Sequence, residues 1–308
     1  MFSVVFPGQG SQVVGMGKLF YEKYDLVKNY FKEADETLNF PLSKVILDGP
    51  KSELDLTFNT QPAIFLISYS IFNVIKKEFN INLNKAEFFA GHSLGEYSAL
   101  SCAGYIKFSD TIKILRIRGE AMQTAVPKGI GGMVAILGST IKKIEDMIDS
   151  NKKNINVQIA NDNSEGQIVV SGKLTDLDRF IEILKLDKIK YIKLPVSAPF
   201  HCELMNSATK IMEEELNRID FAEGYNVLMS NVTADKIKES SKMKSLLIKQ
   251  IESRVRWRES VINMINIGVK NFIEIGPGKV LSGLIKRINR EVKVQSINSE
   301  EDIKNLSI

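Results

Sequence analysis

Histidine is almost missing from this sequence: among 308 residues only His92 and His201 carry an imidazole. Any general-base chemistry run by imidazole therefore has two candidates. Cysteine is equally scarce. Cys102 and Cys202 lie far apart and in no CxxC spacing, which excludes a disulfide framework and a cysteine zinc site and points to a reducing cytoplasm. With 8 Pro and 20 Gly the chain has neither collagen-like nor disordered composition. No run of about 18 apolar residues could span a bilayer, so no membrane role is expected. The charge excess is +4, from 41 Lys and Arg against 37 Asp and Glu. That balance is too small and too dispersed to demand nucleic acid, although it suits small anionic ligands. Met1 to Phe6 enters a strand-like run at once, without a basic leader or a long apolar segment, so the expected location is cytoplasmic.

What is present is ordinary globular material, 44% hydrophobic and 25% charged, and long enough for a large core carrying a smaller insertion. The opening apolar run ends at Pro7-Gly8-Gln9-Gly10-Ser11-Gln12, and helical spacing follows from Leu19 to Leu38. This looks like a dinucleotide fingerprint, but GxGxxG needs glycine at 13, where Val13 stands. Thr60 to Lys77 reads as a mostly buried helix. Glu87 to Ala90 reads as a short strand running into Gly91-His92-Ser93-Leu94-Gly95, with a helix from Glu96 to Ala103 and another from Ser109 to Ala125.

Between about Gly131 and Val196 the pattern changes to strand, helix, two strands, helix and strand, the order of a ferredoxin-like unit. Gly129-Ile130-Gly131-Gly132 and Pro195 flank it, as expected of an insertion into a larger α/β domain. Beyond it come a helix near Glu203 to Asn217, a strand near Asn226 to Ser230 and a helical stretch from Ser245 to Ile265 interrupted near Ser253. A strand from Lys270 to Ile275 then leads through Gly276-Pro277-Gly278, expected to shape a pocket wall, into a helix from Val280 to Arg290.

Gly91 to Gly95 fits GxSxG, in which a serine sits on a strained strand-to-helix turn with its Oγ exposed and the next N–H open to an oxyanion. A hydroxyl needs a base to attack at neutral pH. Neighbouring side chains on an extended approach point to opposite sides, so His92 is expected to face away from the Ser93 hydroxyl. His201, from a distant segment, is free to approach it. Cys202 reads as a small buried residue rather than a nucleophile. Arg116 and Arg118 could, from the residues alone, be a solvated helix face, as could Lys286, Arg287 and Arg290.

The motifs in order make a set: Phe6 to Gln12, Gly91-His92-Ser93-Leu94-Gly95-Glu96-Tyr97, Arg118-Gly119 with Ala121-Met122-Gln123, Gln167 to Gly172, His201 to Met205, Gln250 before Trp257, and Glu274 to Leu281. Over essentially its full length the sequence resembles the malonyl-CoA:acyl carrier protein transacylases. The resemblance implies an α/β fold with a hydrolase-like parallel-sheet core over 1–128 and 197–308 and a ferredoxin-like α+β small domain over 129–196, the active site lying between them. It implies ping-pong transfer of malonyl from CoA to a carrier-protein phosphopantetheine thiol through an ester on Ser93, with His201 as base. By the same resemblance the Gln250 backbone carbonyl orients His201, and N–H groups of Gln9 and Leu94 hold the oxyanion. Arg118 binds the malonyl carboxylate with its guanidinium fork. Phe200 departs from the serine often found there in the family and resembles the bulky residue of malonyl-selective polyketide acyltransferases, which would narrow the acyl pocket, and His92 is expected to take a secondary place at the substrate. The expected partners are malonyl-CoA and, transiently, an acyl carrier protein. CoA and phosphopantetheine enter as substrates, no bound cofactor or metal is called for, and the chain is expected to be a monomer. Two other readings stay open: loading of a polyketide synthase carrier, and a serine thioester hydrolase, which would need an Asp or Glu on His201 and would give Arg118 no purpose.

Overall fold

The computed structural model describes residues 1–196 and 198–308. The expected domain boundary at Ser197 lies outside the described residues. Ten strands occur among the described residues: β1 Phe2–Phe6, β2 Phe88–Gly91, β3 Gly131–Leu137, β4 Val157–Ser164, β5 Gln167–Lys173, β6 Lys190–Lys193, β7 Val227–Met229, β8 Lys236–Ile237, β9 Asn271–Ile275 and β10 Lys293–Ile297. They form two sheets. The larger runs β10-β9-β1-β2-β7-β8 and is parallel except for the short edge strand β8, which is antiparallel to β7.

A parallel sheet covered on both faces needs strands that are apolar on both sides, and β1 and β2 meet that need. Val4, Phe6 and Phe89 face the helices Thr57–Lys77, Leu94–Cys102 and Phe108–Thr124. Val5, Phe88 and Ala90 face the opposite layer, built on Trp257–Ile267 and Val280–Ile288. The carboxyl ends of β1, β2, β7 and β9 therefore open on one edge of the sheet, where open α/β folds bind their ligands.

The second sheet is antiparallel, in the order β4-β5-β3-β6, with helices Ile141–Asn151 and Leu174–Leu186 in chain order between its strands. Val134, Ile136, Ile168 and Val170 pack under those helices, whereas Met133, Ala135 and Val169 turn to the main core. Two backbone hydrogen bonds, Asp162 N–H to Val255 at 2.9 Å and Val255 N–H to Ala160 at 2.8 Å, join the sheet to the core. Arg258 grips the buried Asp162 carboxylate bidentately beside them, Nε on Oδ1 and Nη2 on Oδ2, each at 2.9 Å.

Several element boundaries differ from the sequence reading. The stretch from Leu19 to Leu38 is two helices, Lys18–Lys23 and Asp25–Leu38, broken where Tyr24 turns extended. The stretch from Ser245 to Ile265 is interrupted around Ser253 as expected, between Ser240–Gln250 and Trp257–Ile267, and only its start, at Ser240, lies earlier. Strands β8 and β10 were not foreseen, being short or half exposed, so their apolar pattern is weak.

Close backbone approach decides the elbow. A Cβ on Gly91 would stand 1.9 Å from the backbone carbonyl carbon and oxygen of Gly95, where nothing flexible can yield. Gly91→Ala is accordingly expected to destabilise the fold by about 3 kcal/mol or more, the upper end of overpacking costs. Chemical denaturation measures it, and a loss below about 1 kcal/mol would contradict this packing.

Candidate active site

Ser93 sits between the end of β2 and the helix Leu94–Cys102 with φ 53 and ψ −111, a left-handed conformation costly for a residue with a Cβ. The turn projects its hydroxyl into a cavity of about 120 Å³. Residues of the core, including Gln9, Gln61, Arg118 and His201, line one side, and Met133, Asn161, Leu194 and Val196 line the other. Leu94 begins the helix, so its N–H has no acceptor within it and is available to an anion at the helix N-terminus.

Ser93 Oγ lies 2.9 Å from His201 Nε2, and His201 Nδ1 lies 2.9 Å from the Gln250 backbone oxygen. A carbonyl can only accept, so Nδ1 carries the proton and Nε2 is left as the acceptor for the serine hydroxyl. His201 is itself left-handed, at φ 58. Two bonds bracket it: the Ser171 hydroxyl donates to the Phe200 carbonyl at 2.6 Å, and the Cys202 thiol to the Pro199 carbonyl at 3.0 Å. Burial, with the Arg118 charge nearby, pushes the His201 imidazole down to about 3. Burial also pushes the Cys202 thiol up to about 11, which disfavours a thiolate there.

Arg118 is not on a solvated face. It is 1% exposed, whereas Arg116, two residues earlier, packs over the rings of Phe40 and Phe58. The helix carrying Arg118 reaches this depth because Gly119 rides on the backbone of Phe58, where a Cβ would come within 2.4 Å of its Cα. Arg118 Nη1 donates to Gln61 Oε1 at 2.6 Å, and Nη2 donates to Gln250 Oε1 at 2.9 Å and to Ser93 Oγ at 3.1 Å. All three acceptors are neutral. A buried guanidinium held by neutral groups, open to a cavity beside a serine hydroxyl, has the chemistry to bind an anion.

His92 leaves the serine and directs Nε2 to Asn163 Oδ1 at 2.8 Å, its ring edge against Trp257. Phe200 lines the cavity with Met122 and Met133. Gln9 also lines it, its side-chain amide 3.4 Å from the Thr57 hydroxyl. Gly276-Pro277-Gly278 does not form the expected wall: Gly276 lies behind, against Pro7 and Ser68, while the Glu274 carboxylate caps the following helix at Leu281 and Ser282. On that helix Lys286 donates to the Val292 carbonyl and Arg287 to the Gln167 side chain.

The sequence reading missed Gln61, Asn231 and the inner role of Glu96. Each is an ordinary polar residue in a helix or turn, and only its burial, at 4% exposure or less, marks it. Among the described residues no three His, Cys, Asp or Glu side chains converge as a metal site would require, and no helix is long and apolar enough to cross a membrane.

The sequence profile of the acyl transferase domain family matches residues 3–305. A malonyl CoA-acyl carrier protein transacylase of Bacillus subtilis (strain 168) is 45% identical over 301 residues, covering 97% of this chain and 94% of the relative. The crystal structure of an acyl-carrier-protein S-malonyltransferase from Bartonella henselae superposes with a TM-score of 0.96 at 40% identity, covering 99% of this chain and 97% of that one. A type II PKS acyl-carrier protein in complex with its malonyl-transacylase superposes with a TM-score of 0.94 at 35% identity, covering 99% and 98%.

Proposed function

This chain belongs to the acyl transferase domain family, and from that membership we propose that it moves malonyl from malonyl-CoA to the phosphopantetheine thiol of an acyl carrier protein for fatty acid synthesis. The observation that carries this reading is the buried Arg118 fork, 3.1 Å from Ser93 Oγ and hydrogen-bonded to the neutral side chains of Gln61, Gln250 and Ser93. It suits an acyl group ending in a carboxylate.

Ser93 Oγ attacks the thioester carbon while its proton passes to His201 Nε2. The oxyanion is held by the N–H groups of Leu94 and Gln9. Collapse breaks the C–S bond, and the CoA sulfur leaves with the proton from His201. The malonyl ester then waits on Ser93. The pantetheine thiol repeats the steps in reverse, giving His201 its proton, attacking the ester and returning the hydroxyl to Ser93. Water must be kept from the ester meanwhile, and the apolar side of the cavity at Met122, Met133, Leu194 and Phe200 serves that end. We take 1–128 and 197–308 as the catalytic core and 129–196 as the inserted small domain, a reading supported by the separate antiparallel sheet. CoA and carrier protein as substrates favour a cytoplasmic setting.

A polyketide carrier would be loaded by the same chemistry, and the superposed carrier complex favours keeping it as a second acceptor. The hydrolase reading loses support, since a carbonyl stands at His201 Nδ1 where it needed a carboxylate.

Incubation with malonyl-CoA and a holo carrier protein is expected to give malonyl-carrier as the main product, and a predominance of free malonate would refute transfer. Because His201 stays neutral down to about 3, acylation is expected to show no acid limb near pH 6.5, the ordinary histidine value. The depressed value also means that the unfolded chain takes up this proton first, so His201 removes stability as pH falls below about 6.5.

A further inference from the structure

Beneath the nucleophile lies a side chain to which the transfer chemistry gives no role. Asn231 is 1% exposed and follows the end of β7 by two residues. Its Oδ1 accepts the Ser93 N–H at 2.7 Å, and its Nδ2 donates to the Gly91 carbonyl at 2.7 Å. One carboxamide thus spans the elbow from the residue before His92 to the residue after it.

That pair of bonds has a meaning in the sheet. β2 and β7 run in parallel register, Phe88 with Val227, Phe89 with Leu228 and Ala90 with Met229. Continued by two residues, the register sets His92 opposite Asn231. In a parallel ladder the residue opposite His92 would use its own backbone to bond the Gly91 carbonyl and the Ser93 N–H. Here the Asn231 backbone N–H is diverted to Glu96 Oε2 at 3.2 Å, and the side-chain amide takes its place. The ladder continues for one more rung after the chain has left the strand geometry.

Glu96 holds the layer below. Its Oε2 also accepts Gln250 Nε2 at 2.6 Å, and that amide donates to the Ser93 carbonyl at 3.1 Å. Both ends of the Ser93 peptide environment are therefore tied to side chains from beyond the inserted sheet.

We propose that Asn231 is a positioning residue for the acylation of Ser93: its carboxamide replaces a missing rung of the sheet, holds Ser93 in its left-handed turn, and occupies the Ser93 N–H so that the Leu94 N–H is the one turned to the oxyanion. The inference rests on Ser93 being the nucleophile. An Asn is suited because it has one acceptor and one donor in a fixed plane, matched to one N–H and one C=O. Asp keeps the shape and the acceptor but loses the donor to Gly91. Ala loses both.

The test uses the full chain with Asn231→Asp and Asn231→Ala, single-turnover acylation read by intact mass, and malonyl-CoA and acetyl-CoA as acyl donors. Both variants are expected to acylate about ten- to a hundredfold more slowly with either donor, the scale of a misplaced reacting group. KM and the preference for malonyl are expected to hold, because the Arg118 bond to Gln61 does not involve Asn231, and the 3.5 Å contact of Gln250 Nε2 with Asn231 Oδ1 is longer than that amide's bonds to Glu96 and the Ser93 carbonyl. Acylation within threefold of the unmutated chain would overturn the proposal. So would a rise in KM at unchanged kcat, which would make Asn231 a binding residue, or failure of both variants to fold, which would make it structural. If the unmutated chain itself carries no acyl group on Ser93, the proposed function has failed instead, and the two failures are distinguishable in one mass spectrum.

Discussion

Ser93→Ala is expected to abolish malonyl transfer while leaving a folded protein, with a loss of at least about 10³-fold and, by the scale of serine nucleophiles elsewhere, up to about 10⁶-fold. Cys202, the nearest thiol in sequence to the base, is buried with its sulfur bonded to the Pro199 carbonyl and its titration pushed up to about 11. The substitution removes one oxygen that accepts from Arg118 and meets His201, so the binding of malonyl-CoA should survive. The measurement is peptide mapping after brief incubation with labelled malonyl-CoA. Label on Ser93 in the unmutated chain and none in the variant is the expected result. Label on any other residue would refute the mechanism.

Arg118→Ala should cut kcat/KM for malonyl-CoA by about 10² to 10³, the range for removing one partner of a buried charged pair. Acetyl-CoA should be spared or improved. The reason is that malonyl and acetyl differ by a carboxylate, and the fork that would bind it is already held in place by Gln61 and Gln250 in the free protein. Pre-positioning means that little ordering remains to be done on binding. Arg118→Lys is expected to recover little, since an ammonium cannot bond Gln61, Gln250 and a carboxylate together in one plane. Steady-state kinetics with both thioesters decide it: equal losses with malonyl and acetyl would make Arg118 a structural residue.

How much of this was legible before folding depends on the kind of signal. GxSxG between a strand and a helix is local, and the turn it encodes is where the structure has it, with Gly91 and Gly95 in backbone contact. Two histidines left a short choice of base. The alternation of β3, β4 and β5 was legible because each has one face on the small sheet's own helices and one on the core, whereas β6 puts only Tyr191 under the helices and leaves Ile192 exposed. Arg118 was ambiguous for a physical reason: a helix surrounded on most sides has no clean polar stripe, so an arginine there and one two residues away read alike. The close approach of Gly119 to the Phe58 backbone accompanies the burial of Arg118 in the interior. Asn231 left no trace at all, since its role comes from the register of a strand it does not belong to.

The sequence by itself determined the elements and the chemistry available to them: a strand that must turn at Gly91, a hydroxyl on that turn, one imidazole able to reach it and a cationic fork somewhere on the following helix. These follow from spacing and residue type, which act over a few residues. The tertiary structure decided which of those groups meet. His201 comes within 2.9 Å of Ser93 across 108 residues, and the tautomer it holds is set by the Gln250 carbonyl 49 residues further on. Burial then did what no pattern could announce, keeping the imidazole neutral and setting the guanidinium against the neutral side chains of Gln61, Gln250 and Ser93. Both effects arise from removing water around groups that are distant in the chain, and that happens only once the sheet has brought them to one edge.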